Sequence, residues 1–180
     1  MSVVLSLPRL LLAFAILGLA GSGAAFALGN TPPAAQLCSA GQMWDPAKAA
    51  CVKQAAGVLS DDALAAYAQA LADSGRAPEA IDVLNLSANK TDPKFLNAMG
   101  YAKRKAGRAD ESLSYYLASV KADPNYTPVR EYLGEAYIVL GRIDDAKAQL
   151  AEIEKRCGTT CSEYGLLVEA LNKARTSQGI

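Results

Sequence analysis

The residues of this sequence with the clearest capacity for chemistry are four cysteines, which form two pairs at opposite ends: Cys38 with Cys51, and Cys157 with Cys161. In a chain whose amino terminus directs export, as argued below, an even number of cysteines indicates disulfides. We favour the two local pairings because each closes a short loop. A zinc site made by all four cysteines is an alternative, but such sites usually space their pairs by two to four residues. A redox-active Cys157–Cys161 pair is another, although thioredoxin-type motifs have two intervening residues where this pair has three.

Other catalytic side chains are scarce. Histidine, the commonest general base near neutral pH and a common metal ligand, does not occur at all. The chain also lacks the G-x-S-x-G nucleophile motif, the P-loop and the G-x-G-x-x-G dinucleotide motif. Two acidic pairs, Asp61–Asp62 and Asp144–Asp145, stand where helices are predicted to begin, and there they stabilise the helix dipole. We therefore predict a protein that is not an enzyme and that holds no cofactor or metal ion.

The charges balance overall, with 18 basic and 18 acidic side chains. A net charge of zero gives no broad field to attract nucleic acid or an anionic membrane, so we expect neither as a partner. Along the chain the charges are uneven, since residues 90–108 are mainly basic and residues 131–154 mainly acidic. These two stretches are either solvated faces that partly neutralise each other or a sign of the ligand.

The amino terminus has the order of a secretory signal peptide. Arg9 is followed by an apolar run at residues 10–20 and by small residues that end in Ala25-Phe26-Ala27. A retained membrane anchor is the alternative, but the uninterrupted apolar run is short for a span of about 20 residues. We expect cleavage after Ala27 and a mature protein in the periplasm or outside the cell, with no membrane contact.

The central region contains three similar stretches, at residues 74–84, 106–116 and 140–150, each of which opens with Gly-Arg within its first three residues. Their glycines lie 32 and 34 residues apart, a period typical of stacked repeats. Apolar residues recur every three or four positions on both sides of each glycine, which predicts a helix, a tight glycine turn and a second helix. One such hairpin cannot bury both of its apolar faces, so about three must stack.

Two short stretches that contain proline separate the units, at residues 91–93 and 122–128, because proline cannot continue a helix. After the third unit, residues 162–176 have apolar side chains at helical spacing. This segment is predicted to form the additional helix that covers the last apolar face of the stack.

The repeat resembles the tetratricopeptide repeat, whose pattern is W-x2-L-G-x2-Y, then A-x3-F, then P over 34 residues. The third unit matches it best, with Leu133-Gly134, Tyr137, Ala146 and Leu150 in place and Arg130 where the family has Trp. The resemblance covers residues 60–156. It implies an all-α fold in which three helical hairpins form a right-handed superhelix with a carboxyl-terminal capping helix, and a non-enzymatic role in binding other proteins.

Residues 38–52 differ in kind from the repeats. Two short strands at residues 42–44 and 50–52, joined by an Asp45-Pro46 turn, are predicted to form a hairpin closed by Cys38 and Cys51. The segment also resembles the closing hairpin of peritrophin-type chitin-binding domains, but it has two cysteines where those domains have six. We expect a structural hairpin, with glycan binding through Trp44 as the alternative. The predicted organisation is a signal peptide at 1–27, a segment at 28–57 that contains this hairpin, and a helical domain at 58–180.

The family resemblance also implies a binding surface, since the first helix of each tetratricopeptide hairpin lines a concave groove. The family's ligand-contacting positions fall here on Gln69, Lys94, Asn97, Tyr101, Arg104, Lys105, Glu131 and Glu135, with Tyr132 beside them. Tyr101 stands where the family's carboxylate clamp has Asn, so recognition of a free carboxyl terminus is not expected. We expect instead a peptide with acidic residues, held by the groove's cations and stacked on Tyr101. Replacing Asn97, Tyr101 and Arg104 should leave the melting temperature nearly unchanged.

The resulting hypothesis is a protein-protein interaction module or scaffold of the bacterial cell envelope that binds a partner peptide in the groove. The alternative is a permanent structural subunit of an envelope or secretion assembly.

Overall fold

The computed structural model describes residues 37–178, so the predicted signal peptide and its cleavage site lie outside the described residues. The chain forms a two-stranded hairpin followed by helices, in the order β1 (Gln42–Asp45), β2 (Ala50–Lys53), α1 (Asp61–Asp73), α2 (Ala77–Leu84), α3 (Pro93–Lys105), α4 (Ala109–Ala122), α5 (Thr127–Val139), α6 (Ile143–Cys157) and α7 (Ser162–Gln178). Within residues 37–178 none of these helices has the length and apolar character needed to cross a membrane. The predicted fold class is confirmed.

The three glycine turns join α1 to α2, α3 to α4 and α5 to α6. Gly75, Gly107 and Gly141 have φ angles of 83°, 78° and 72°, a left-handed conformation that only glycine adopts without strain. At each turn the N–H of the following arginine donates to a carbonyl five residues back, as in the 2.8 Å bond from Arg76 to Leu71. This bond is part of the Schellman motif, which satisfies carbonyls at the end of a helix.

The arginine that follows each glycine has a role of its own at the start of the second helix. Arg76 and Arg142 form ion pairs three residues ahead, with Glu79 at 2.8 Å and with Asp145 at 2.7 Å. Arg108 lies 3.6 Å from Glu111 in the same arrangement. The backbone of the Gly-Arg dipeptide thus ends one helix, and its arginine side chain pairs with an acidic residue near the start of the next helix.

Two further glycines allow neighbouring helices to approach closely. A Cβ atom added to Gly100 would lie 2.6 Å from the ring of Tyr116 on α4, and one added to Gly134 would lie 2.6 Å from Leu167 on α7. Real Cβ contacts are longer than this, so only glycine leaves room for the buried Tyr116 and Leu167 side chains. The close approach of the neighbouring helices therefore depends on glycine at both positions.

The β-hairpin covers the free face of the first helical pair. Its strands are antiparallel, with Trp44 opposite Cys51, and each is one residue longer than predicted. Met43 is completely buried in the same core cluster as α1 and α2. The N–H of Cys38 donates to the hydroxyl of Tyr67 at 3.0 Å, and Arg76 Nη1 donates to the Cys38 carbonyl at 2.7 Å.

Helix α7 covers the opposite end of the stack, where it packs against α5 and α6. Its Leu167 side chain is fully buried beside Gly134. Both predicted disulfides are present: Cys38–Cys51 closes the hairpin, and Cys157–Cys161 joins the end of α6 to the start of α7. The predicted capping helix is therefore confirmed, and it is two residues longer than the sequence pattern indicated.

Candidate functional site

The first helices of the hairpins, α1, α3 and α5, lie side by side with α7 after them, and two hollows open on the surface that they share. The first hollow has a volume of 240 Å³. It is lined by Asp62, Ala65, Ala66, Gln69, Lys94, Asn97, Ala98, Tyr101, Tyr126 and Tyr132. The second hollow has a volume of 330 Å³ and is lined by Arg104, Glu135, Ile138, Val139, Ala170, Lys173 and Ala174.

An aromatic bridge made by Tyr101, Arg104, Tyr132 and Glu135 stands between the two hollows. The rings of Tyr101 and Tyr132 are 5.0 Å apart between centroids, and the Arg104 guanidinium lies 5.4 Å from the first and 5.9 Å from the second. Arg104 also forms an ion pair with Glu135. Tyr132 reaches from α5 to α1, where its hydroxyl accepts a 3.3 Å hydrogen bond from Gln69. The concave surface is thus divided in two.

Each of the three cations that we expected to hold an acidic partner has a carboxylate partner within the protein. Lys94 lies 3.0 Å from Asp62, Lys105 lies 3.4 Å from Asp73, and Arg104 pairs with Glu135. Each pair joins two neighbouring first helices. An acidic peptide would therefore have to compete with these carboxylates, and its binding by the three cations stays a prediction.

Several residues expected on an open groove are buried. The exposed fractions of Asn97, Tyr101 and Glu131 are only 7%, 9% and 3%. The Tyr101 hydroxyl donates to the carboxylate of Asp73, and burial raises the pKa of that hydroxyl far above its usual value. These side chains contribute to the helix packing, so the expectation that Asn97, Tyr101 and Arg104 can be replaced without an effect on stability does not fit the structure.

Sequence comparison agrees with this architecture, since residues 103–171 match the family model described as tetratricopeptide repeat. The part of the chain from the end of α3 to α7 is therefore similar to tetratricopeptide repeats. No curated protein sequence matches the chain.

Solved structures of tetratricopeptide repeat proteins have similar folds. The first such domain of human RPAP3 has a TM-score of 0.56 and 17% identity, over 66% of this chain and 94% of that one. The Yersinia enterocolitica type III secretion chaperone SycD, in complex with a peptide of the translocator YopD, has a TM-score of 0.52 and 17% identity, over 68% and 98%. PcrH, in complex with the chaperone-binding region of PopB, has a TM-score of 0.52 and 18% identity, over 64% and 96%. These likenesses concern the fold.

Of the nine residues expected to contact a partner, five line the first hollow: Gln69, Lys94, Asn97, Tyr101 and Tyr132. Arg104 and Glu135 line the second hollow. Lys105 and Glu131 line neither. Lys105 lies beside the first hollow, with its ammonium 5.6 Å from the Tyr101 ring.

Sequence reasoning missed Asp62 and Ala65 in the first hollow, although the repeat itself contains the signal for them. They stand 32 residues before Lys94 and Asn97, as Gln69 stands 32 before Tyr101, so the same repeat positions line the hollow from α1 and from α3. Tyr126 and the α7 residues of the second hollow carry no such signal, because they lie outside the first helices of the repeats.

Glu131 lies on the α5 side that faces the capping helix. Burial, together with the negative charge of Glu135, raises the pKa of its carboxyl to about 8, and Glu163 at the start of α7 contributes in the same direction. Arg104 opposes this shift. A carboxyl with such a pKa is largely protonated at neutral pH.

The structure also bears on two alternatives, a metal site at the cysteines and glycan binding through Trp44. The Sγ atoms of Cys157 and Cys161 and a carboxylate oxygen of Glu163 all lie within 4.8 Å of one another, but the two cysteines are joined in a disulfide. A thiolate metal site would therefore require reduction first. Trp44 is half-buried and packs against the core of the first repeat, which leaves only part of its ring for a ligand.

Proposed function

We propose that this protein is a non-enzymatic binding module or scaffold of the bacterial cell envelope, and that it holds a segment of a partner protein on its concave surface. The observation that supports this most is that equivalent positions of successive repeats line one hollow: Asp62 with Lys94, Ala65 with Asn97, and Gln69 with Tyr101. A surface that repeats along a superhelix suits an extended or helical segment, which presents its own side chains at regular intervals.

Two structural relatives support a peptide as the ligand. SycD was solved with a peptide of the translocator YopD, and PcrH with the chaperone-binding region of PopB. The absence of histidine from the whole sequence also favours binding over catalysis.

The envelope location rests on the predicted signal peptide and on the two disulfides, which persist in oxidising compartments. Among residues 37–178 the exposed large apolar residues are Leu117 on α4, Val139 on α5 and Leu166 on α7. They are single residues on three separate helices. A subunit that is permanently buried in an assembly usually exposes a larger continuous apolar patch, so the structure favours a module that binds and releases its partner.

Selection of peptides from a random 12-residue library displayed on phage, with the disulfide-bonded protein as bait, tests the proposal. The groove variant combines Lys94→Ala in the first hollow with Val139→Glu in the second, at positions exposed enough to tolerate the changes. The matched control makes the same two types of change on α4, outside both hollows, as Lys121→Ala with Leu117→Glu.

The selected peptides should bind the groove variant at least tenfold more weakly than the wild type, about 1.4 kcal/mol, and should bind the control with unchanged affinity. Equal binding to the groove variant, or a library in which no peptide is enriched, would contradict the proposal.

A further inference from the structure

A side chain that lines the first hollow carries a buried, unsatisfied acceptor. Asn97 lines this hollow with only 7% of its surface exposed, and its Oδ1 atom has no hydrogen-bond partner among residues 37–178. The Asn97 side chain also lowers the pKa of the Tyr126 hydroxyl, against the stronger, opposite effect of burial. Buried polar atoms are nearly always paired in folded proteins, so an unpaired one at a surface hollow indicates a donor that arrives with a ligand.

The size and the walls of the first hollow suit one side chain. A volume of 240 Å³ is below the range of pockets that hold cofactors or drug-sized molecules. Small residues, Ala65 and Ala98, leave the space open, while Tyr101, Tyr126 and Tyr132 surround it with aromatic rings. Aromatic walls favour an aromatic guest, because tilted and offset ring pairs add attraction to the burial of apolar area.

The charges around this hollow disfavour a charged guest. Its only ionised residues are Asp62 and Lys94, which pair with each other at 3.0 Å and are both more than half exposed. A charged side chain that entered the hollow would lose its hydration and would find no unpaired counter-charge. A neutral guest loses much less.

We infer that the first hollow is a socket for an aromatic side chain that carries a hydrogen-bond donor, tyrosine or tryptophan, on the partner segment. The ring lies among the three tyrosines, and its O–H or N–H donates to Asn97 Oδ1. Such residues commonly anchor interfaces, because they bury a large area at a low entropic cost. The inference rests on the proposed function and adds the chemistry of one anchor residue.

Three capped amino acids serve as probes: N-acetyl-tyrosinamide, N-acetyl-tryptophanamide and N-acetyl-phenylalaninamide. They are titrated into the ¹⁵N-labelled protein, with the Asn97 side-chain amide and the backbone amides of Ala65 and Ala98 as NMR reporters. The tyrosine and tryptophan probes should give saturable shifts with dissociation constants of about a millimolar. The phenylalanine probe lacks the donor and should bind at least about fivefold more weakly.

Two variants make the test specific. Asn97→Leu has a side chain of similar size without the acceptor, and it should bind all three probes with equal affinity. Ala98→Leu fills the hollow from a half-buried position and should abolish the shifts for every probe, which keeps the test decisive should Asn97→Leu not fold. Ala151→Leu, the same type of change at an exposed position of α6 outside both hollows, is the matched control and should bind the probes as the wild type does.

Equal affinity for the phenylalanine probe, or shifts confined to the second hollow, would overturn the inference. So would library-selected peptides that need the groove but contain neither tyrosine nor tryptophan, and in that case the proposed function would stand. Selected peptides that bind the groove variant as tightly as the wild type would instead contradict the proposed function itself.

Discussion

The two ends of the helical stack are covered by different structures. Each terminal repeat presents an apolar face that has no further repeat to cover it. At the amino end a short β-hairpin covers this face with one fully buried side chain, Met43, and is held by a disulfide and by hydrogen bonds to Tyr67 and Arg76. At the carboxyl end the helix α7 covers the face and inserts Leu167 beside Gly134. A cap with little core of its own thus depends on covalent and polar attachment, whereas the helical cap, although it also has a disulfide, depends mainly on packing.

The largest effect should come from the packing of the helical cap. Leu167→Ala removes a fully buried side chain from the contact between α7 and α5, and the cavity should cost about 2–5 kcal/mol of unfolding free energy. Urea denaturation followed by circular dichroism measures the loss. Leu166→Ala is the control, because Leu166 is the neighbouring residue and 52% exposed, and it should change stability little.

The two disulfides should differ in their contribution. Replacing Cys38 and Cys51 by serine opens a loop with a sequence separation of 13, which should cost about 3 kcal/mol. Replacing Cys157 and Cys161 opens a loop with a separation of 4, which should cost about 2 kcal/mol. Thermal unfolding of the two double variants checks the order, and a greater loss at the carboxyl end would contradict the comparison.

Stability should also depend on a buried carboxyl of α5, that of Glu131. The pKa of Glu131 is raised to about 8, so the folded state binds its proton more tightly than the unfolded chain does. The stability from this proton is complete below the ordinary glutamate pKa, near 4.5, and is lost as the pH rises through about 8.

The variant Glu131→Gln removes this dependence. It should match the wild type near pH 5 and exceed it by about 1–3 kcal/mol at pH 9. Melting curves across this range provide the measurement. A variant that is no more stable than the wild type at pH 9 would show that ionisation of Glu131 does not weaken the fold.

The smallest effect should separate two equivalent arginines. Arg76 pairs with Glu79 and also donates to the Cys38 carbonyl of the hairpin, whereas Arg142 has the corresponding pair with Asp145 and lies far more exposed. Arg76→Ala should cost about 1–2 kcal/mol, because it removes the hydrogen bond to the hairpin carbonyl together with the ion pair to Glu79. Arg142→Ala should change stability less than Arg76→Ala does, since exposed ion pairs contribute little. Equal losses in parallel urea titrations would mean that Arg76 does not attach the hairpin.

Much of this architecture follows from local rules that a single sequence displays. The glycine turns need a left-handed residue, prolines mark the unit boundaries, and the 32- and 34-residue periods place the repeats. The predicted bounds of the hairpin strands and of the capping helix agree with the structure to within two residues. Strands and helices can be told apart in the sequence because their side chains repeat with different periods. These features depend on neighbours along the chain, and so the sequence alone predicts them.

The burial and the pairing of the expected groove residues were predicted less well, because both depend on the distances between neighbouring helices. The repeat positions identified which helices line the groove, but not that Asn97 and Tyr101 would be buried in it. The pairing of Lys94 with Asp62 and of Lys105 with Asp73 depends on the distance between α1 and α3, which helix periodicity does not define. A charge that appears unpaired in the sequence is therefore a weak guide to a ligand in a stack of repeats.

The contact of Tyr132 with Gln69 affects how this protein unfolds. Stacked repeats usually touch only their immediate neighbours, and their stability is then a sum of local contributions that allows the ends to fray. Here the side chain of Tyr132, in the third repeat, forms a hydrogen bond with Gln69 in the first repeat, 63 residues away. It also packs against the buried core of β1 and α1 to α3 and against a second buried core formed by α4, α5 and α6. The first and third repeats are thereby coupled directly. We expect the helical domain to unfold as one cooperative unit rather than repeat by repeat from either end.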